Sequence, residues 1–202
     1  MESEGKAGAA VPEGVAGVAE AVERYGPPVE RVVTYDVRAD TYRYWRRVRR
    51  RRAGEVVLLV RRPNDTYLVH TKAFYPPGVY RLLSGGIKPG EDLSAAVLRE
   101  AAEETSLDVS VEAFLAIVTH RFRWNAREID FVSYLFLLAE RGGALHVADE
   151  GEAITGFRDL PLEGVVALAD ELEALPGEWR DWGRFRASMH RIAGEVMAER
   201  SR

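Results

Sequence analysis

From Gly85 to Leu107 the chain reads GGIKPGEDLSAAVLREAAEETSL, and no other stretch restricts its fold as much. Residues 91–105 are helix formers with no internal Gly or Pro. Gly90 precedes them, and Glu91 and Asp92 open the segment where a helix N-terminus favours negative charge. The spacing predicts a helix. At about 100° per residue, Glu100, Glu103 and Glu104 fall within an arc of roughly 100°, and Leu98, Ala101, Ala102 and Thr105 form the neighbouring apolar stripe. Such a helix must pack one side inward while holding three carboxylates together. Glutamates at i, i+3 and i+4 repel one another by roughly a few tenths of a kcal/mol per pair. A hard divalent cation, Mg²⁺ or Mn²⁺, would offset that repulsion with oxygen ligands. Held there, it could draw charge from a diphosphate and lower the pKa of an attacking water.

Gly85, five residues, Glu91, seven residues, Arg99-Glu100, two residues, Glu103-Glu104 and a final Leu107 resemble the Nudix box. Ala101 is smaller than the usual aliphatic residue, and Ser106 stands where the box closes on glycine; neither change removes a carboxylate. The resemblance implies an α/β fold, the family's α/β/α sandwich with a mixed sheet, over roughly residues 53–175. It implies Glu100, Glu103 and Glu104 as metal ligands, with Glu103 and Glu104 central to catalysis. Arg99 would pair with Glu91, and these two with Gly85 would be structural support. A homodimer is also implied. The glycines of the preceding loop allow backbone to approach phosphate and metal closely.

The chain has 202 residues, 47% of them hydrophobic, enough for one sizeable core with additions at the ends. Cysteine is absent, which excludes disulfides, thiolate metal sites and cysteine nucleophiles and fits a cytoplasmic protein. MESEGKAGAAVPEG lacks the basic patch and apolar run of a signal peptide, and no later segment reaches eighteen apolar residues, so no membrane contact is expected. A net charge of −4 gives no general attraction to nucleic acid. The run RRVRRRR at 46–52 is the exception. It reads as a solvated segment leading into a strand, or as a surface for nucleic acid, phosphate or an acidic partner, with Tyr42, Tyr44 and Trp45 just before it.

Along the chain, residues 1–12 read as disordered, and Pro12-Glu13 opens a helical pattern ending near Gly26. Val29–Arg38 and Thr41–Val48 read as strands, as does Glu55–Arg61, which forms a hairpin with Tyr67–Thr71. Val79–Leu83 leads into the glycine loop. Val109–Thr119 and Ile129–Leu138 are longer strands turning at Trp124-Asn125-Ala126, and Ala153–Phe157 is a last strand. Leu162–Leu175 and Trp179–Arg200 read as helices. The expected division is an N-terminal extension at 1–50, a Nudix domain at 51–176 and a C-terminal helix at 177–202.

Outside the box, Asp149, Glu150 and Glu152 precede the last strand, where several Nudix enzymes place a further metal ligand or general base. Glu150 matches best, with Glu103 the competing base and a solvated acidic turn the plain alternative. His120, Arg121, Arg123 and Trp124 could grip phosphate and stack a base, or form an edge-strand surface with His120 structural. Phe74, Tyr75, Tyr80 and Arg81 sit before the glycine loop, Arg81 as a substrate-binding candidate and Tyr75-Pro76-Pro77-Gly78 as a turn. Asp181, Trp182, Arg184 and Arg186 read as helix-docking residues. Three functions follow: a metal-dependent hydrolase of a nucleoside diphosphate linked to another group (a nucleoside triphosphate, ADP-ribose or a nucleotide sugar), a non-catalytic nucleotide sensor, or an RNA 5′-end processing enzyme.

Overall fold

The structure is a computed structural model describing residues 14–200. The opening residues 1–12 and Pro12-Glu13 lie outside them. The core is organised around β2 (Gly54–Arg61), whose unbroken apolar run suits a strand covered on both faces. Val56, Leu58 and Val60 enter one buried cluster and Val57 and Leu59 another. β2 pairs in parallel with β6 (Arg127–Gly143) and antiparallel with β4 (Arg81–Ile87). With β1 (Val29–Asp36), β3 (Tyr67–Lys72), β5 (Leu107–Trp124) and β7 (Ile154–Leu160) they form a seven-stranded mixed sheet in the order β1-β5-β6-β2-β4-β3-β7.

Helices α1 (Val18–Tyr25) and α3 (Leu93–Thr105) contribute to the cluster on one face. Helices α4 (Leu162–Glu173) and α5 (Arg180–Arg200) contribute to the other. The expected α/β/α sandwich is the observed architecture. The N-terminal segment is built into it: β1 runs parallel to β5 from Val29↔Ala116 to Asp36↔Arg123. No helix among the described residues is long and apolar enough to cross a membrane.

Three local expectations need correction. Residues 39–48 form a helix, α2 (Ala39–Val48), rather than a strand. Its aromatic content suggested β structure, but Tyr42 and Trp45 are buried three residues apart, a helical spacing. They pack with Phe122, Phe131 and Phe185 in a cluster that joins α2, the end of the β5–β6 hairpin and α5. Second, β2 and β3 meet only at Arg61↔Tyr67, because β4 lies between them along most of their length. Third, α1 begins at Val18, after Gly17 in the left-handed region at φ 79. A Cβ on Gly17 would collide with the carboxylate of Asp92, the residue that caps α3, so glycine is required there.

Candidate active site

The box helix starts where Asp92 Oδ1 accepts a hydrogen bond from the Ala95 amide at 3.1 Å. It ends at Ser106, which adopts φ 56 and donates its amide to Ala102 O. The buried side carries Leu93, Ala96, Val97 and Ala101, and with them Glu100, Glu104 and Thr105. The expected stripe was different: Leu98 is 47% exposed and Ala102 is also exposed. Positions 93, 97, 101 and 104 repeat at helical spacing and set the buried face, which takes in Ala101 and Thr105 of the expected stripe but not Leu98 or Ala102. The rotation turns Glu104 inward and leaves Glu103 toward the cleft.

Arg99 holds the loop to the helix. Its Nε and one terminal nitrogen reach both oxygens of Glu91 at 2.6 and 2.9 Å, and the same terminal nitrogen donates to Gly86 O at 3.0 Å. Its other terminal nitrogen donates to Glu100 at 2.7 Å and Glu103 at 2.9 Å. Glu91 also accepts from the Lys88 amide at 2.8 Å. Arg99 accordingly holds the Glu91 carboxyl below its ordinary range, although burial works the other way. At Gly85, a Cβ would occupy the place of the Glu100 carboxyl group, so the first glycine of the motif is fixed by a close approach.

Ligand oxygens of Glu100, Glu103 and Glu152 lie within 4.8 Å of one another. Glu152 comes from a short 3₁₀ turn, Glu150–Glu152, before β7. Of the loop carboxylates, Asp149 and Glu152 line the same cleft, while the side chain of Glu150 lies outside what the structure describes. Glu104 is fully buried beneath the cluster. Lys72 Nζ stands 3.0 Å from Glu104 Oε1 and 2.6 Å from Glu152 Oε2, and His70 Nδ1 is 3.8 Å from Glu104. Burial pushes the Glu104 carboxyl up to about 7 against the pull of Lys72 and Arg81, and it raises Glu100 as well. Burial, with the nearby cations Arg81 and Lys72, keeps His70 well below its usual range and therefore neutral. Among the described residues Glu104 Oε2 has no hydrogen-bond partner. Carboxylate oxygens this close are the donors a hard divalent cation takes, so the residues present fit Mg²⁺ or Mn²⁺.

Glu100, Glu103, Asp149 and Glu152 line a cleft of about 500 Å³ that also carries the cations Arg51, Arg52, Lys72, Arg81, Lys88 and Arg186. Arg81 is buried, with Nε donating to Tyr75 at 2.7 Å and a terminal nitrogen donating to Leu82 O and Ser84 Oγ. Arg186, expected only to dock a helix, donates to both oxygens of buried Glu55 at 3.0 Å and to Ser84 at 3.2 Å. Glu55 accepts from Ser133 at 2.7 Å, and Ser133 lies 3.0 Å from His120 Nε2. Arg51 and Arg52 bring the end of the arginine run into the cleft, with Arg52 packed over Gly86.

Arg121, Arg123 and Trp124 lie elsewhere. Arg121 pairs with Asp130 at 2.8 Å, Arg123 with Asp36 at 3.1 Å, and Trp124 packs against Tyr42 at the hairpin end. Their proximity to the box in sequence is undone because β5 carries them along the sheet. His120 is wholly buried, 3.0 Å from Tyr35 and Ser133, in the structural role expected of it. Sequence reasoning missed Arg186, and it placed Arg52 and Trp182 without a site. The one signal available for these was a long basic or aromatic segment flanking the common core.

The model of the NUDIX domain matches residues 46–182. The chain belongs to the Nudix family. Over 54 residues it is 41% identical to Nudix hydrolase 19, chloroplastic, of Arabidopsis thaliana, a match spanning 27% of this chain and 12% of that protein. Over 66 residues it is 33% identical to the NAD-capped RNA hydrolase NudC of Stutzerimonas stutzeri, spanning 33% of this chain and 24% of that protein. The chain thus covers well under two thirds of either relative. Among solved structures, a UDP-X diphosphatase aligns with TM-score 0.47 and 13% identity over 91% of this chain and 70% of that one. An Ap4A hydrolase of C. elegans aligns with TM-score 0.44 and 19% identity, over 72% of this chain and 98% of that one.

Proposed function

We propose that this Nudix chain is a Mg²⁺- or Mn²⁺-dependent hydrolase that cleaves the diphosphate linkage of a nucleoside diphosphate joined to another moiety, such as a nucleoside triphosphate, ADP-ribose or a nucleotide sugar. The observation that carries this reading is the convergence of Glu100, Glu103 and Glu152 opposite a cationic wall. In it, Glu100, Glu103 and Glu152 hold the metal, with Glu104 beneath them. A divalent cation held by these residues would supply positive charge to the substrate's phosphates. In this reading Arg81, Arg186 and Lys72 pair with the remaining phosphate oxygens, and Arg99 holds Glu100 and Glu103 in position.

Glu103 is the carboxylate we assign to take the proton from the attacking water; Glu150, in the facing turn, is the alternative base. Water oxygen bonds to one phosphorus, the bridging P–O bond breaks, and the leaving phosphate carries away the bridging oxygen. The test is product release from nucleoside triphosphates, ADP-ribose, nucleotide sugars and dinucleoside polyphosphates with Mg²⁺ or Mn²⁺. Turnover abolished by EDTA and by Glu103→Gln supports the reading; tight nucleotide binding without turnover of any compound favours a sensor.

Arg51 and Arg52 in the cleft favour one second reading, an enzyme acting at an RNA 5′ end. It predicts steep salt dependence and tighter binding of 5′-diphosphorylated RNA than of free nucleotide. Equal affinity at low salt rules it out. The homodimer and the cytoplasmic location implied earlier are checked by sedimentation velocity and by imaging a tagged chain.

A further inference from the structure

A hydrogen-bonded row of buried polar side chains crosses the sheet beneath α5 and ends at the cleft. It takes one residue from each of four neighbouring strands: Tyr35 on β1, His120 on β5, Ser133 on β6 and Glu55 on β2. Tyr35 Oη lies 3.0 Å from His120 Nδ1, and His120 Nε2 lies 3.0 Å from Ser133 Oγ. Ser133 Oγ donates to Glu55 Oε1 at 2.7 Å. Glu55 and Ser133 are direct partners in the parallel pairing of β2 with β6, so the register itself sets their approach. Helix α5 closes both ends of the row. Tyr35 donates to Ser188 Oγ at 2.8 Å, and Arg186 Nη1 donates to both Glu55 oxygens at 3.0 Å.

Burying polar side chains costs free energy unless each is hydrogen-bonded, and apolar residues of the same shape can hold a sheet equally well. What a satisfied polar row adds is a fixed position for the groups at its ends. At the cleft that group is Arg186. Its Nη1 also donates to Ser84 at 3.2 Å, and Ser84 accepts from Arg81 at 2.8 Å, so two cations of the cleft are set by one row. Arg186 Nη2 takes no part in these contacts, and Arg186 lines the cleft. Tyr35 precedes, and Arg186 and Ser188 follow, the residues 46–182 that the family model matches, whereas Glu55, His120 and Ser133 fall within them. Both ends of the chain thus reach the cleft through the middle of the sheet.

We propose that Ser133, His120 and Tyr35 are positioning residues for phosphate recognition, holding Glu55 so that it fixes the Arg186 guanidinium with Nη2 turned to a phosphate oxygen of the substrate. The proposal rests on the reading of the charged cleft as a diphosphate site. A guanidinium is a planar fork, so a carboxylate that grips one terminal nitrogen also sets the direction of the other. Held in this way, Arg186 gives up little freedom when a phosphate arrives.

The test is calorimetric titration of the full chain with α,β-methylene-ADP and Mg²⁺, a ligand whose bridging carbon resists hydrolysis, alongside kinetics on a diphosphate that the wild type cleaves. Ser133→Ala should weaken binding roughly three- to tenfold, and Tyr35→Phe, which keeps its ring packing and is safe for folding, by about twofold. KM should rise by the same factors while kcat stays within about twofold of wild type, a split that loss of folded protein does not produce. Arg186→Lys keeps a cation beside Glu55 but lacks the fork, so in that background Ser133→Ala should add less than about twofold. An equal loss in both backgrounds, or wild-type affinity in both Ser133→Ala and Tyr35→Phe of a chain that does hydrolyse diphosphates, overturns the proposal and leaves the hydrolase reading intact. The expected pattern of affinities without turnover of any diphosphate keeps the row and removes the hydrolase.

Discussion

The two sides of the cleft are built in opposite ways. The acidic side comes chiefly from one contiguous motif, in which Arg99 joins Glu91, Glu100 and Glu103 through short charge-assisted contacts. The aromatic and arginine side is assembled from α2, the loop before β4 and α5, segments far apart in the chain. Charge chemistry shared by a family can be written locally, since one helix turn and one glycine loop fix its distances. The aromatic surface beside it is gathered instead from elements at both ends of the domain. The difference implies that substitutions on the acidic side change turnover, whereas those on the other side change stability or recognition.

The largest effect expected from breaking this division is on the acidic side. Glu103→Gln should lower turnover roughly 10²- to 10⁴-fold while leaving the thermal midpoint near that of wild type; an unchanged rate would remove the box helix from the chemistry. Arg186→Ala probes the opposite side. It strips Glu55, buried to 2% exposure, of its cation, and loss of one partner of a buried pair costs about 3 kcal/mol. Denaturant unfolding reads that cost, and Arg51→Ala should show almost none of it.

Acidity acts on the buried groups behind both sides. Burial holds His120 at about 3 and His190 at about 4, and keeps His70 well below 6.5. The unfolded chain takes up these protons near 6.5, so the histidine contribution is full above that pH and is lost as pH falls toward 4, at about 1.4 kcal/mol per pH unit for each group. Glu104, raised to about 7, acts the other way. Its contribution is full below 4.5 and lost as pH rises through 7. Glu104→Gln should therefore steepen the acid loss, as seen in urea midpoints from pH 4.5 to 7.5; a flat profile for both proteins would contradict the burial account. The smallest effect concerns the helix end: Ser106→Gly relieves φ 56 and should add about 1 kcal/mol without altering kinetics.

How much was legible in the sequence follows the same division. The strand at 55–61 follows from its continuous apolar run, and the long β5–β6 pair, the box helix and its Arg99–Glu91 pair follow from residue pattern and motif. Glu152 was visible as one of three loop carboxylates, but a turn of three residues cannot be resolved by pattern alone. Residues 39–48 were misread because Tyr42, Tyr44 and Trp45 have strand propensity, and the packing of Trp45 on Phe122 at 4.5 Å decides in favour of a helix. Arg121 and Arg123 pointed to the site by sequence proximity; an extended strand moves such residues about 3.3 Å each, which carried them to the far end. Arg186 could not be assigned because its partners, Glu55 and Ser84, are more than a hundred residues away.

The most direct measurement is a Mn²⁺ titration followed by electron paramagnetic resonance, comparing wild type with Glu100→Gln, Glu152→Gln and Arg51→Ala. If Glu100 and Glu152 converge on a metal, wild type and Arg51→Ala will bind Mn²⁺ with similar affinity and both glutamate variants will bind it at least roughly tenfold more weakly. Mn²⁺ binding that is unchanged in both glutamate variants would show that the acidic side of the cleft is not a metal centre, and the account built on it would fall.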